Sequence, residues 1–216
     1  MPKESSQPVV IYDNYYYWLA VKFIPRLSIK KKLNLVERFG LIDLFNSPPT
    51  KTEVVLTDKQ YAAIIQPDWQ KITKIVNQTI NNNAQLISFD DDNYPQLLKQ
   101  IYDPPLVLFV KGNSDILRHQ QIAIVGSRNA SIQGRESAGE FSTALGLNDV
   151  IITSGLALGI DASAHRAAVN IQSATIAVIA TGIDKVYPSR HKQLAKDILA
   201  TGGAIVSEFL PGTEPR

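Results

Sequence analysis

Residues 122–134 read IAIVGSRNASIQG, and residues 150–165 read VIITSGLALGIDASAH. The first stretch opens on an apolar run, Ile122 to Val125, that ends in Gly126-Ser127-Arg128. From Ile132 to Leu147 the apolar residues recur at helical spacing, and a second apolar run, Val150 to Ile152, then ends in Thr153-Ser154-Gly155. Short unbroken apolar runs closed by glycine and alternating with helical patterns are the mark of parallel strands buried on both faces. In such sheets ligands lie beyond the carboxyl ends of the strands, where loops lead into helix N-termini. Gly126-Ser127-Arg128 and Ser154-Gly155 are both strand-exit loops of this kind, and they are expected to line one anion-binding cleft.

Working outward toward the C-terminus, the alternation continues. Strands are expected near 121–126, 149–154, 174–180 and 203–208, with helices near 133–147, 159–170 and 190–201. Upstream, Gln85 to Phe89 and Leu106 to Val110 read as two further strands. Between them come a turn at Asp90 to Pro95 and a short helix from Gln96 to Ile101. The N-terminal third is helical instead. Val9 to Phe39 has helical spacing broken at Pro25, with Ser28 as the N-cap of a second helix and Gly40 as its stop. Asp43–Ser47, Asp58–Ile65 and Asp68–Asn82 read as three more helices. The expected organisation is a disordered tail over residues 1–8, a helical domain over 9–83 and an α/β domain over 84–216.

Bulk composition narrows the function classes. The 216 residues include no cysteine, so disulfides and thiolate metal sites are excluded. The three histidines (His119, His165 and His191) are too far apart in sequence for a zinc motif. Neither a signal peptide nor an apolar run of the ~20 residues that span a bilayer is present, so a cytoplasmic protein is expected. A net charge of +2 is only slightly basic, and any nucleic-acid binding must rest on a local cluster of cations.

The motifs give that cluster. In Gly126-Ser127-Arg128, a glycine free to take positive φ precedes a hydroxyl and a guanidinium whose fork suits phosphate. The loop is neither a Walker motif nor GxGxxG, which argues against nucleotide hydrolysis and NAD binding. Asp161 and His165, four residues apart on one helical face, are better read as a cap and a structural hydrogen bond than as a metal pair. The loop TGIDKVYPSRH (181–191) exits a third strand at the same end of the sheet and brings Lys185 and Arg190 to the rim, with Tyr187 expected to pack inward. Cations with a nearby aromatic suit single-stranded nucleic acid. Lys30-Lys31-Lys32 reads as a solvated helix face. No catalytic, metal-binding or cofactor-binding set is expected; the candidate nucleic-acid-binding residues are Gly126, Ser127, Arg128, Ser154, Gly155, Lys185 and Arg190.

Five segments together resemble the DNA-processing protein A (DprA/Smf) family: DDDNYPQLLKQIYDPPLVLFVKGN (90–113), IAIVGSRNASIQG (122–134), ITSGLALGIDASAHRAAV (152–169), TIAVIATGIDKVYPSRHKQL (175–194) and GGAIVSEFLPGTEP (202–215). The resemblance implies an extended Rossmann-like, mostly parallel sheet preceded by a small sterile-alpha-motif-like helical domain. It also implies single-stranded DNA binding around the Gly126–Arg128 pocket, protection of incoming DNA during natural transformation, and help in loading RecA, without turnover chemistry. Three departures stand out. The stretch IPRLSIKKK lacks the family's glycine-containing hairpin, and His191 stands where the family usually has Asn. The chain also stops at Arg216, ahead of an FPxRNR segment and further elements, so a homodimer is expected to be weakened if those elements carry its interface. The alternative reading is a nucleotide-binding or nucleotide-hydrolysing protein of the phosphoribohydrolase type. There the nearest approach to PGGxGTxxE is Thr201-Gly202-Gly203 with Glu208, and the spacing is wrong.

Overall fold

The structure is a computed structural model and describes residues 13–215. The tail expected over residues 1–8 and the start of the first helical pattern lie outside these residues. By its internal contacts the chain divides into two compact units between Trp69 and Gln70.

The first unit is helical. Helices α1 (Asn14–Phe23), α2 (Ile29–Phe39), α3 (Asp43–Asn46) and α4 (Asp58–Ile65) follow the sequence pattern closely. Local chemistry sets their ends. Ser28 caps α2 by accepting from the Lys31 N–H, and Gly40 closes it at φ 81°. Thr57 and Gln60 form a reciprocal capping box at the start of α4. The interior gathers Trp18, Leu19, Ile24, Leu44 and Ile64. Tyr17 and Phe45 meet the Trp69 ring edge-on, with centroids 5.6 and 6.0 Å away; each such pair adds about 1 kcal/mol beyond its buried area. One expectation fails here. Lys30 and Lys31 are exposed, but Lys32 is buried and its ammonium donates to the Lys22 carbonyl oxygen at 2.7 Å. That carbonyl lies in the last turn of α1, where backbone acceptors lack helical donors.

The second unit begins with the body of α5 (Trp69–Asn81), a helix that runs from the unit boundary toward the 83/84 division read from the sequence. Six strands follow: β1 (Gln85–Ser88), β2 (Val107–Gly112), β3 (Gln121–Ala123), β4 (Ile151–Ser154), β5 (Thr175–Ile179) and β6 (Ala204–Ser207). They form one mixed sheet in the order β1-β2-β6-β5-β4-β3. The four strands from β3 to β6 are mutually parallel, while β2 runs antiparallel to both β6 and β1. Helices α6 (Ile132–Gly146), α7 (Ile160–Asn170) and α8 (Lys192–Ala200) make the three crossovers. Crossovers are right-handed and each step here moves the same way across the sheet, so all three helices cover one face. Ile152 of β4 packs under Ala164 and Ala168 of α7 on that face.

The opposite face is covered from the β1 side. Ile87, Leu108, Val110, Ile151, Ile176 and Val206 pack there with Tyr94, Ile116 and Leu117. Tyr94 is fully buried and donates its hydroxyl to the Pro105 carbonyl oxygen at 2.6 Å, and burial pushes its phenol pKa up. The helix expected over Gln96 to Ile101 is only a single 3-10 turn, Leu98–Gln100. A Pro-initiated turn of this length has too few backbone hydrogen bonds to propagate as an α-helix.

Candidate nucleic-acid interface

At the carboxyl ends of the parallel strands, four loops come together, and hydrogen bonds join each to the next. The first leaves β3 after Ile124, whose N–H still donates to the Thr153 carbonyl oxygen at 3.0 Å. Gly126, Ser127 and Arg128 follow, all exposed. The Ser127 hydroxyl oxygen accepts from the Asn129 N–H at 3.1 Å, folding the chain toward Ser131, which caps α6 by accepting from Gly134. Gly126 does not use the left-handed region as expected. It is needed because a Cβ there would come within 2.6 Å of the Ile160 side chain. Its role is close packing of the loop on the first residue of α7.

The second loop, Gly155 to Gly159, leaves β4. The Ile160 N–H donates to the Ser127 carbonyl oxygen at 3.3 Å, binding this loop to the first. Asp161 shapes it from within α7: one carboxylate oxygen accepts from the N–H groups of Gly155 (3.0 Å) and Ala157 (3.4 Å). Ser154 is buried, and its hydroxyl donates to the Ile124 carbonyl oxygen at 2.6 Å. That hydroxyl, expected to face a ligand, is spent holding the end of β4 to the chain leaving β3. Gly155, half-buried, is the part of this pair that reaches the surface.

The third loop runs from Thr181 to Pro188. His191 follows it and is 2 % exposed, with Nδ1 2.8 Å from the Leu156 carbonyl oxygen. A carbonyl only accepts, so Nδ1 carries the proton and this ring ties the third loop to the second. His191, Leu194, Ala195 and Ile198 are all buried, at the i, i+3, i+4, i+7 spacing of one helical stripe. Periodicity extended one turn back from α8 was the sequence signal that could have placed it. Tyr187, expected to pack inward, is instead 51 % exposed. Thr181 accepts from the buried Ser207 hydroxyl through its carbonyl oxygen.

The fourth loop follows β6. Gly182 donates to the Thr213 carbonyl oxygen at 3.0 Å, and Gly212 donates to an Asp184 carboxylate oxygen at 2.7 Å. Lys185 donates to the Gly212 carbonyl oxygen at 3.4 Å and pairs with the Glu214 carboxylate. The sequence-derived cations therefore differ in state. Arg128 and Arg190 are exposed and form no ion pair among the described residues, whereas Lys185 is engaged.

Beneath the second loop His165 is fully buried. Its Nδ1 lies 2.9 Å from the Thr175 hydroxyl oxygen, and that hydroxyl gives its one proton to the Ile152 carbonyl oxygen at 2.6 Å. Nδ1 is thus the protonated nitrogen, and Nε2 has no partner among the described residues. Burial pushes the imidazole pKa down to about 4, against a smaller upward pull from the Ser154 backbone. His165 makes a structural hydrogen bond as expected from the sequence, whereas Asp161 does not cap α7 but ties down the loop before it, because its carboxylate turns back to the Gly155 and Ala157 N–H groups.

Two features lie away from these loops. Gly202 and Gly203 precede β6 while Glu208 follows it, so roughly 13 Å of strand separates the glycines from the carboxylate. A groove of about 610 Å³ lies along α6 and α7, lined by residues such as Arg135, Glu140, Thr143 and Ile171, with none from the strand-exit loops. Among the described residues, no helix is long and apolar enough to cross a membrane.

The sequence profile of the DNA recombination-mediator protein A family matches residues 85–216, which include the whole sheet and all four loops. The chain belongs to this family. Over 125 residues it is 46% identical to the DNA processing protein DprA of Streptococcus pneumoniae, covering 58% of this chain and 44% of that protein. It is 34% identical over 179 residues to Protein Smf of Borreliella burgdorferi, covering 79% and 57%. The chain thus spans about half the length of these curated relatives. The X-ray structure of the Streptococcus pneumoniae protein superposes with a TM-score of 0.74 at 32% identity, over 95% of this chain and 70% of that one. A DNA processing protein A from Helicobacter pylori, whose structure was studied for its single-stranded DNA binding mode, gives 0.54 at 26% identity, over 62% and 60%. The family and the α/β fold expected from the sequence are both confirmed, and the helical N-terminal unit falls within the larger superposition.

Proposed function

We propose that this chain binds single-stranded DNA along its strand-exit face. Arg128 and Arg190 hold phosphates, the backbone of Gly126, Ser127 and Gly155 approaches the strand closely, and Ser154 fixes the loop from below. Lys185 joins when a phosphate displaces Glu214. The observation that carries this reading is the set of hydrogen bonds linking four loops into one surface that presents two unpaired guanidinium groups. The single-stranded DNA binding of the Helicobacter pylori relative supports it. In this role the protein shields incoming DNA during natural transformation and helps load RecA, in the cytoplasm. We read it as a binding protein, not an enzyme: the glycines and the glutamate that a phosphoribohydrolase reading needs stand at opposite ends of β6.

The test is a band-shift titration of Arg128→Ala against unrelated single-stranded oligonucleotides. Binding should weaken for every sequence, and the slope of log affinity against log salt should shrink by roughly 0.7 for each phosphate that the variant no longer neutralises. Unchanged affinity and slope would remove Arg128 from the interface.

A further inference from the structure

A site built from phosphate contacts alone does not tell one strand from two. Duplex DNA carries a negative charge about every 1.7 Å of its axis, more densely than a single strand, so two guanidinium groups by themselves favour the duplex. A preference for single strands needs a group that takes hold of an unpaired base. Every base offers a flat face, and aromatic side chains stack on it whatever the sequence.

The four strand-exit loops hold two aromatic residues, Tyr187 and Phe209. Phe209 is partly buried, whereas half of Tyr187 is open. The Tyr187 ring makes no aromatic or cation contact, and its hydroxyl no hydrogen bond, among the described residues. Ile183 and His191, both buried, fill the inner side of this loop and leave Tyr187 outside.

The backbone on either side of Tyr187 is fixed. Before it, the Lys185 N–H donates to the Gly182 carbonyl oxygen at 3.0 Å, and the Lys185 carbonyl oxygen accepts from the Thr181 hydroxyl at 2.9 Å. After it, the His191 N–H donates to the Pro188 carbonyl oxygen at 2.9 Å while the His191 ring holds Leu156. The side chain therefore has little but its two χ angles to lose on binding. Its place along the face is central. β5 lies between β4 and β6, so the loop carrying Tyr187 has the second loop on one side and the fourth on the other. Arg190 follows three residues later, and the loop of Arg128 leaves β3, two strand spacings or roughly 10 Å across the sheet.

We infer that Tyr187 is the base-stacking residue of this face and sets its choice of single-stranded over double-stranded DNA. A strand held by Arg128 and Arg190 lays an unpaired base on the ring. In a duplex every base is paired and stacked within the helix, so its faces are closed to Tyr187. The inference rests on the binding reading above and adds to it the group that selects the strand.

The experiment is fluorescence anisotropy on the 216-residue chain with three labelled probes of about 12 units: oligothymidine, a duplex, and a chain of abasic deoxyribose phosphates. The wild type should bind oligothymidine most tightly. Tyr187→Ala should bind it roughly five- to a hundredfold more weakly with an unchanged salt slope, while the duplex and the abasic chain, which offer no free base, lose nothing. Tyr187→Phe should keep the wild-type preference, since stacking needs the ring and not the hydroxyl. In Tyr187→Trp the new emission should be quenched by oligothymidine and not by the abasic chain; the native Trp18 and Trp69 belong to the helical unit. A Tyr187→Ala chain that keeps its preference for oligothymidine overturns the inference. A loss shared equally by all three probes overturns it too, because the residue then only shapes the loop. A wild type that binds none of the probes is a different failure, that of the binding reading itself, and takes this inference with it.

Discussion

Gly159 stands directly against Ser127. A Cβ at residue 159 would overlap the Ser127 carbonyl oxygen, and the next N–H, that of Ile160, donates to the same oxygen at 3.3 Å. The first two strand-exit loops are therefore one packed unit, and their spacing depends on a position with no side chain and a φ of 76°.

Gly159→Ala should cost at least about 2 kcal/mol, since the new methyl meets rigid backbone in a conformation that L residues avoid. Urea unfolding measures the loss. In the fraction that remains folded, single-stranded DNA binding should fall, because the Gly126–Arg128 loop is displaced. Wild-type stability would show that the two loops are not held together as described.

Asp161→Ala leaves the Gly155 and Ala157 N–H groups without their acceptor. The expected cost is about 1–3 kcal/mol. Faster amide exchange should be confined at first to residues 155–159, and hydrogen-exchange mass spectrometry can resolve that segment from its neighbours.

Glu214→Gln frees Lys185 from its carboxylate partner. If the third loop touches DNA, affinity should rise roughly two- to fivefold and the salt dependence should steepen. Fluorescence anisotropy at two salt concentrations reads both. A neutral result would assign Lys185 to tying down the fourth loop.

His165 ties stability to pH. Its folded pKa of about 4 lies below the ordinary 6.5. The stability it contributes is fully present above pH 6.5 and is lost as pH falls toward 4, because the unfolded chain takes up a proton that the folded chain refuses. The loss should reach about 3 kcal/mol at pH 4. Urea titrations at pH 7, 5.5 and 4 should show this slope in the wild type. His165→Gln should lack that part of it while keeping the background from the carboxylates.

Much of the architecture can be read directly from residue order. The runs Ile122–Val125 and Val150–Ile152, each closed by glycine and separated by a helical pattern, determine a parallel sheet because their alternation leaves few other ways to bury them. Ser28 announces its helix by capping chemistry that acts within three residues, and the structure shows Thr57 and Ser131 capping theirs over the same short range. The candidate cations were equally visible, since strand-exit loops are local features.

What the sequence could not decide is which polar groups were already spoken for. Ser154 and Lys185 look available in a linear reading, yet one is bonded to Ile124 and the other to Glu214, partners 30 and 29 residues away. Lys32 and His191 likewise have partners, Lys22 and Leu156, that only folding brings near. Periodicity and capping are short-range, so the sequence by itself determined the elements and their order. The pairing of side chains across the strand ends depends on how crossovers stack loops from distant segments, and only the tertiary structure decided it.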